Sequence, residues 1–420
     1  MEVYAKVLLW MIPLFLFLII FEIIYGHFTG KQTHTFMDTL SSLSSGMTNI
    51  LKDILGLVVV IISYPFLMEK LSIISLENSI SLYFITFICI DFASYWSHRL
   101  NHKINFFWNQ HVIHHSSEEF NLACALRQSV SDLLGYGALF LIPAAILGVP
   151  HQAITLLAPI HLFGQFWYHT QHIGKLGILE YFLVTPSQHR VHHAINPIYI
   201  DKNLAAIFCV WDRWFGTFQE ELDDEPPVYG VLKPVHTWNP LIINFKHLWG
   251  MIQDAWYTRS WKEKLTLWWR PTGYRPDDVA IKFPRKKITP ENPIEKYNPE
   301  MNFFKKVWAL FQWLSITILL FFMLYNYELF SPYQALLMGG LIMISIFGFT
   351  SFMDGYPWSY NFELGRFFLS LLVFCLPLQT DFYLSHVPSL FYFGIIYFSM
   401  SIIGLQILNQ KKKPSPLNEG

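Results

Sequence analysis

Charged residues are scarce in this chain. Of its 420 residues, 14% are charged and 53% are hydrophobic, whereas a soluble protein carries about 25% charged residues. This shortage excludes an ordinary soluble protein and predicts an integral membrane protein with a sizeable portion outside the membrane. The net charge is −1 and no block of basic residues tracks a phosphate backbone, so we expect no nucleic-acid partner.

Cysteine is also scarce, with Cys89, Cys124, Cys209 and Cys375 as its only instances. None of them belongs to a Cys-x-x-Cys pair. This excludes a disulfide framework, a thiolate metal site and an iron–sulfur cluster. We interpret the four cysteines as small apolar residues.

Long apolar runs are what the chain has instead. Nine segments are apolar enough to enter a membrane, and they cover residues 7–25, 54–68, 80–96, 133–148, 153–167, 307–325, 333–351, 367–378 and 390–408. No small-x-small cleavage site follows the first run, so we predict a retained anchor rather than a signal peptide. Val149 and Pro150 separate the fourth and fifth runs, which should form a hairpin that returns the chain to the side it left.

Histidine is the residue around which the sequence is organised. Ten of the 17 histidines fall in four closely spaced clusters, and they are His98, His102, His111, His114, His115, His169, His172, His189, His192 and His193. Residues three and four apart share one face of a helix, so each cluster can direct its imidazoles to one point. Neutral imidazole is the commonest metal ligand and is costly to gather in a membrane protein. We therefore predict that all ten bind metal, against the alternative of structural histidines bonded to backbone carbonyls.

Ten imidazoles exceed what one ion can use, because a zinc ion takes three or four protein ligands. A two-metal site is the simpler prediction. Two irons at a membrane surface would suggest O₂ activation against a lipid C–H bond, whereas two zincs would suggest hydrolysis. Spacing alone does not decide between them, because imidazole accepts both metals. A transporter is disfavoured, because a transport path needs polar groups near the bilayer midplane.

The positive-inside rule predicts which side the site faces. Lys411, Lys412 and Lys413 follow the last apolar run and should lie in the cytosol. Counting back through nine spans puts the histidine clusters and residues 170–306 on the same side. We therefore predict an all-α integral membrane protein, a multi-span helical bundle with a cytosolic histidine-rich di-metal cap. The membrane is the plasma membrane or the endoplasmic reticulum.

Four units follow from these patterns. Residues 1–80 hold the N-terminal spans, 81–220 the histidine-box core with its membrane hairpin, 221–306 a cytosolic or interfacial segment, and 307–420 the C-terminal spans and basic tail. Within the third unit, residues 257–275 mix tryptophans with basic residues. This composition indicates an amphipathic segment at the membrane surface, with ordinary packing as the alternative.

Further polar residues could support the metal site. Asp91 precedes His98 by seven residues on the same helical face and could orient it, although an interfacial acid is an equal alternative. Hydrogen bonds to the imidazoles are also open to Asn121, Asp201, Asn203 and Asp212, for which caps and turns are the commoner roles. Arg127 and Arg190 could meet a lipid phosphate, and for Arg190 we favour an ion pair.

The histidine boxes, set around a membrane hairpin, resemble those of the fatty acid hydroxylase/sterol desaturase superfamily. The strings Ser-Ser-Glu-Glu-Phe-Asn at 116–121 and Ala-Leu-Arg-Gln at 125–128 narrow the resemblance to the branch that cleaves glycerol ethers. Two positions depart from that branch. Lys103 stands where it usually has an acid, and position 172 is not regularly a histidine there.

That resemblance implies a membrane-bound di-iron monooxygenase that hydroxylates a lipid C–H bond with O₂ and cleaves the ether bond of alkylglycerol-type lipids to a fatty aldehyde. It implies two iron ions, a lipid substrate in the bilayer and an electron donor, which in this branch is tetrahydrobiopterin. The alternatives are a hydroxylase or desaturase of fatty acyl chains, sterols or carotenoids in the same superfamily, or a zinc-dependent membrane hydrolase.

Overall fold

The computed structural model of the protein describes residues 2–285, 288 and 295–410. Its regular structure is almost entirely helical, as predicted. The helices in chain order are α1 (Glu2–Thr29), α2 (Phe36–Ile54), α3 (Tyr64–Leu71), α4 (Ile80–Lys103), α5 (Asn105–Trp108), α6 (Val112–His115), α7 (Ile142–Ile146), α8 (His151–Phe163), α9 (Pro186–His192), α10 (Val210–Trp214), α11 (Pro240–Tyr257), α12 (Trp261–Thr266), α13 (Asp277–Lys282), α14 (Phe303–Tyr325), α15 (Pro332–Met353), α16 (Ser359–Phe374), α17 (Pro377–His386) and α18 (Pro388–Gln410). Two short strands, β1 (Val59–Val60) and β2 (Leu134–Gly135), pair in parallel.

Five helices are long and apolar enough to cross a membrane, namely α1, α4, α14, α15 and α18. Helix α16 and Gln379–His386 form a pair bent by 70°, which makes a sixth crossing if it is counted as one span. The chain is therefore a multi-pass membrane protein. The prediction of nine spans was wrong, because the described residues contain five or six such elements.

The three other apolar runs are broken before they reach a bilayer's thickness. Residues 54–68 divide between the end of α2, β1 and α3, with Gly56 at a φ of 62°. Residues 133–148 form β2, a 3-10 turn and the short α7. Helix α8 has 13 residues, which is about 20 Å of helix against a hydrocarbon core of about 30 Å. Helices α7 and α8, on either side of Val149 and Pro150, both pack against α4, and the membrane hairpin stays a prediction.

Helix α2 was not predicted, because its serines and threonines make the start of the segment read as a polar connection. In the structure it is a mostly buried helix, and the buried positions include Asp38, Ser41, Ser42, Ser45 and Thr48. It packs against the turn at Cys124–Leu126 that follows the second histidine cluster. A polar helix thus lies directly beside the histidine-rich region.

The C-terminal helices pack around a buried ion pair. Glu363 and Arg366 of α16 form two hydrogen bonds of 2.7 and 2.8 Å, and both side chains are buried. A Cβ atom at position 348 of α15 would lie 1.9 Å from the Glu363 carboxylate, so Gly348 makes room for this pair. Arg366 also donates to Ser345 and Gln312 on neighbouring spans. The paired charges therefore connect three spans inside an apolar bundle.

The segment predicted to lie at the membrane surface exposes large aromatic side chains. Within residues 257–275, Trp261 and Trp269 are more than half exposed, and so are Trp249 and Trp256 just before this segment. Lys264 lies over the Trp261 ring at 5.5 Å from its centroid. This pattern is typical of interfacial segments. The placement of the segment at the bilayer surface stays a prediction, as does the division of the chain into four units. The basic tail at 411–413 lies outside the described residues.

Candidate metal centre

Nine of the ten predicted ligands converge in two groups. The first group is His98, His102, His111, His115 and His192, and the second is His114, His169, His189 and His193. Within each group, the nitrogens available for binding all lie within 4.8 Å of one another. Two imidazole nitrogens on opposite sides of one ion lie about 4 Å apart. The spacing therefore suits one ion per group.

Helix geometry explains why the two groups are neighbours. His111 and His115 are four residues apart at α6 and belong to the first group, whereas His114 between them belongs to the second. The arrangement at α9 is the reverse: His189 and His193 belong to the second group, whereas His192 between them belongs to the first. Each His-x-x-His-His box thus contributes to both groups. The rings of His115 and His193 stack across the boundary, with centroids 4.4 Å apart.

Several of the rings are oriented by the nitrogen that points away from the centre. In four of them Nδ1 donates to a backbone carbonyl oxygen, joining His98 to Leu204 (2.7 Å), His192 to Lys202 (2.9 Å), His169 to Gln165 (3.0 Å) and His114 to Arg127 (3.3 Å). A neutral imidazole that donates from Nδ1 carries its lone pair on Nε2. These backbone contacts therefore direct lone pairs into the centre, which is how proteins orient metal-binding histidines.

His114 and His169 test whether the residues fit a metal. Both donate from Nδ1, yet their Nε2 atoms lie 3.4 Å apart. Burial lowers the pKa of His169 to about 3 and that of His114 well below its usual value, so both rings are neutral near pH 7. Two neutral rings cannot hydrogen bond through two lone pairs. The contact is favourable when a cation binds both nitrogens.

Unpartnered nitrogens in the first group agree with this. The Nε2 atoms of His102 and His192 are buried and have no hydrogen-bond partner in the described part of the chain. An unsatisfied buried polar atom is costly, and a bound metal would satisfy both. Burial also lowers the pKa of His111, His115 and His192 well below the usual value, which keeps these rings in the form that binds metal.

A single loop orients three ligands of the first group. Asp201 Oδ1 lies 3.4 Å from His102 Nδ1, and the carbonyls of Lys202 and Leu204 accept from two further ligands as described above. Asp201 and Asn203 have φ angles of 57° and 51°, a conformation that Asp and Asn tolerate better than most residues. Lys103 donates to Asp201 Oδ2 at 2.7 Å. Lys103, which departs from the family pattern, thus contacts the acid that lies beside His102.

Asn203 and Asp212 hold this loop rather than the imidazoles. The Asn203 amide donates to the carbonyls of Gln188 and Gln219 at 2.9 and 2.7 Å. The Asp212 carboxylate accepts from the backbone N–H of Leu204 at 2.7 Å. Of the polar side chains considered from the sequence, only that of Asp201 contacts an imidazole of the two groups within the described part of the chain. Asn121 instead donates to the Thr33 carbonyl at 2.7 Å, in the connection between α1 and α2.

Arg127 belongs to the protein interior and does not face a lipid phosphate. Its guanidinium lies 2.5 Å from Asp38 Oδ1 and donates to Ser42 and Ser116 at 3.0 and 2.7 Å. Both members of the ion pair are 2% exposed. Since the Arg127 carbonyl orients His114, the ion pair connects the backbone that positions this ligand to Asp38 on helix α2. Arg190 forms the expected ion pair, donating twice to Glu221 at 2.7 and 2.8 Å.

Asp91 has a different role from the one considered. It accepts hydrogen bonds from His161 (2.7 Å), from the Trp211 indole (2.8 Å) and from the backbone N–H groups of Ile207 and Phe208. No hydrogen bond connects it to His98 in the described chain. The buried acid therefore fixes the hairpin helix α8 to the loop after α9. Its seven-residue spacing from His98 reflects a shared helix.

His172 is the predicted ligand that joins neither group. Its ring makes an edge contact with Tyr25, with centroids 5.1 Å apart. Its Nε2 atom is buried without a hydrogen-bond partner among the described residues. The neighbouring Thr170 donates instead to Glu22 of α1 at 2.5 Å, so this stretch is fastened to the first span.

A cavity of about 520 Å³ connects the histidines to the membrane helices. It is bordered by histidines of both groups, including His98, His111, His114, His169 and His189. Its apolar wall follows one face of α1, at Leu8, Met11, Ile12, Phe15 and Leu16, and continues on α14 at Trp313 and Leu320. The stretch from Leu8 to Leu16 corresponds to about 12 Å of helix. The shape suits an elongated apolar ligand whose end reaches the histidines.

Comparisons with known proteins agree with this arrangement. A family model described as fatty acid hydroxylase matches residues 83–217. The alkylglycerol monooxygenase of Xenopus tropicalis is 31% identical over 389 residues, which cover 92% of this chain and 85% of that protein. The human protein of the same name is 35% identical over 266 residues, 63% of this chain and 59% of its own. An ornithine lipid hydroxylase, OlsE of Rhizobium tropici, is 28% identical over 131 residues, 31% of this chain and 40% of its own. No solved structure matches the chain.

The histidine centre, the spans and the matched family model together define a membrane-bound lipid monooxygenase, an oxidoreductase that uses O₂ on a lipid. The chain belongs to the alkylglycerol monooxygenase family. The resemblance seen in the histidine boxes is thereby confirmed, and the hydrolase and transporter alternatives are not favoured.

Proposed function

We propose that the protein is a di-iron monooxygenase that cleaves the ether bond of alkylglycerol-type lipids. The observation that carries the proposal is the pair of histidine groups bordering one largely apolar cavity between membrane helices. The names of the relatives supply the substrate class. The two histidine groups supply the metal number, because each has the size of a single-ion site.

The nine convergent histidines are the proposed ligands. Five would hold one iron and four the other, and His172 is left out because it lies in neither group. When bound, the two irons supply the activation of O₂ and the insertion of one oxygen atom into a C–H bond. Imidazole ligands without thiolates are compatible with iron.

The protein's own contribution is orientation and exclusion of water. The carbonyls of Arg127, Gln165, Lys202 and Leu204 fix four rings with their lone pairs inward. Phe15 stacks on Phe166 at 4.3 Å between ring centroids, on the border of the cavity. This apolar wall holds an alkyl chain and keeps water from the reacting carbon. Binding of the tail thus places the carbon next to the ether oxygen beside the histidines.

The chemistry balances with one O₂ and a two-electron donor. One oxygen atom enters the C–H bond of the ether carbon to give a hemiacetal, and the other leaves as water after taking two electrons and two protons. The hemiacetal hydroxyl then loses its proton, the C–O bond to glycerol breaks, and the glycerol oxygen takes up a proton. The products are a fatty aldehyde and a glycerol derivative. Tetrahydrobiopterin is proposed as the electron donor on the family resemblance.

The active site is proposed to face the cytosol. Helix α4 ends at Lys103 beside the histidines, and α11 of the long polar stretch packs against α6, which carries part of the second histidine cluster. With the bent pair counted as one span, four crossings separate the basic tail from residues 170–306, so the positive-inside rule supports the assignment. A protease-protection assay on closed vesicles tests it, since cleavage within the acidic turn at 220–225 should require access from the cytosolic side.

Product analysis tests the function directly. Purified protein in nanodiscs, supplied with a long-chain alkylglycerol, reduced pterin and O₂, should release fatty aldehyde and contain two irons per chain. His114→Ala should abolish the aldehyde and lower the bound iron. His151→Ala, at an exposed position outside the two groups, is the matched control and should do neither. A hydroxylated or desaturated lipid with the ether intact would refute the proposal, as would aldehyde release without O₂.

A further inference from the structure

One wall of the cavity is polar, and its hydrogen-bonding capacity is largely unused. Beside the histidines, the cavity is bordered by Asn49, Ser94, Ser97, Asn101, Gln128 and Asp132. Gln128 donates to the Ala125 carbonyl at 2.9 Å. The side chains of Asn49, Ser94, Ser97 and Asp132 make no hydrogen bond in the described part of the chain. These six residues are named the polar wall below.

Asn101 is the most constrained member of the polar wall. Its carboxamide oxygen is buried and has no hydrogen-bond partner among the described residues. Asn101 follows His98 by three residues on α4 and directly precedes His102. An acceptor left unpaired in the interior is costly unless a ligand or water supplies the donor. Its position beside two proposed iron ligands indicates that a donor on the substrate meets it near the reacting carbon.

The charges around the cavity restrict what that substrate group can be. No lysine or arginine is among the described residues that border it, and its one acid is Asp132. Burial raises the pKa of the Asp132 carboxyl above the ordinary value, so negative charge is already disfavoured there. Lys52, whose charge acts on Asp132, is buried and does not border the cavity, so a phosphate would meet this carboxyl group and no bordering cation. Hydroxyl groups can both donate and accept, and they match the polar wall without adding charge.

We propose that the polar wall is the head-group subsite of the cavity and recognises the hydroxyls of an uncharged polyol, with the Asn101 oxygen accepting a hydrogen bond from one of them. The inference rests on the proposed function, since it assumes that a glycerol ether enters this cavity. Beyond that function, it names the residues that would select the substrate's head group. The tail is held by shape, whereas the hydroxyls are selected by hydrogen bonds.

The test pairs a substrate change with a residue change. Wild-type protein and Asn101→Leu are compared on a long-chain alkylglycerol and on the matching alkyl propyl ether, which lacks both hydroxyls. Loss of one such hydrogen bond should lower kcat/KM for the alkylglycerol about tenfold and leave the value for the propyl ether nearly unchanged. The iron content of Asn101→Leu should equal that of the wild type, which separates substrate recognition from damage to the metal centre.

Thr317→Val is the matched control on the opposite wall. Its hydroxyl borders the cavity but already donates to the Trp313 carbonyl at 2.8 Å. This change should alter kcat/KM for both ethers by the same factor and preserve the ratio between them. An Asn101→Leu variant that slows both ethers equally would overturn the proposal, as would efficient use of an alkylglycerol phosphate by the wild type.

A binding measurement keeps the two proposals distinguishable. Labelled alkylglycerol bound to the detergent-purified protein is displaced with unlabelled alkylglycerol or with the propyl ether. The wild type should prefer the alkylglycerol as competitor, and Asn101→Leu should lose most of that preference. Preference without aldehyde formation would refute the proposed function and support the subsite. Aldehyde formation without preference would do the opposite.

Discussion

Replacement of Asp201 by Asn should weaken iron binding in the first histidine group and spare the second. The Asp201 carboxylate lies 3.4 Å from His102 Nδ1, and its side chain is 26% exposed. A carboxylate behind a ligating imidazole raises the ring's basicity, and loss of such a partner lowers metal affinity about 10- to 100-fold. Because the contact is long and partly solvated, we expect the low end, about tenfold or about 1.4 kcal/mol.

Asparagine is the informative replacement at this position. Asp201 has a φ of 57°, and Asn tolerates this left-handed conformation nearly as well as Asp, so the loop that supports His98 and His192 should keep its shape. Asp201→Ala would combine the loss of charge with backbone strain. Asp223→Asn, at a side chain that is 99% exposed, serves as the control for a lost surface charge.

Competition with an iron chelator measures the effect. The iron-loaded protein should release its two irons in two phases, and Asp201→Asn should shift one phase to about tenfold lower chelator while the other stays in place. Release of both irons at the wild-type chelator concentration would show that Asp201 does not support the metal. An equal shift of both phases would show that the variant loosens the whole centre, which would refute the assignment of this loop to the first group.

Three further outcomes are expected. Burial lowers the pKa of His169 to about 3, against 6.5 when unfolded, so unfolding takes up a proton between these two pH values. The free energy of unfolding of the iron-free protein should therefore fall by about 2 kcal/mol per such histidine from pH 7 to pH 5. A thermal melting temperature that is equal at both pH values would contradict this. Arg127→Met should destabilise the protein by about 3–5 kcal/mol, because it leaves the buried Asp38 carboxylate without its cation. Arg190→Met removes one member of a more exposed pair and should destabilise the protein less. Equal decreases in melting temperature for the two variants would refute this ranking. A fluorophore on cysteine in place of Trp261, which is 75% exposed, should be quenched by spin-labelled lipid head groups in nanodiscs that hold one copy of the protein, whereas the same label at Asp223 should not be. Equal quenching at both sites would contradict the assignment of residues 257–275 to the membrane surface.

The histidine spacing was sufficient to predict the convergence of nine side chains. Spacings of three and four recur at α4, α6 and α9, and helical geometry turns them into shared faces. The same spacing could not show that His114 and His192 cross into the opposite group from their box partners. That division depends on how α6 and α9 face each other, which is a tertiary property. His169 and His172 both lie on a stretch without helical structure, so the helical argument applied to neither, and only His169 joins a group.

The count of spans failed for a related reason. Hydropathy measures composition, and residues 54–68 and 133–148 are apolar without being continuous helices. Gly56 and the parallel pairing of Val59 with Leu134 interrupt them. Helix α2 was missed for the opposite reason: it is buried although its sequence is polar, because its serines donate to carbonyls such as that of Trp238. Burial by hydrogen bonding carries no hydropathy signal, whereas the long spans α14, α15 and α18 carry a strong one.

The arrangement of the cavity favours reaction at the junction of tail and head group. The apolar wall follows α1 from Leu8 to Leu16, and near the second of these ends Phe15 stacks on Phe166, three residues before His169. The histidines therefore lie at the end of the tail channel. Oxidation in the middle of a chain would require apolar space on both sides of the centre, whereas Ser97 and Asn101 flank His98 on the cavity side. A lipid whose reactive carbon joins an alkyl tail to a hydroxylated head group satisfies both walls at once, and an ether carbon next to glycerol is such a position.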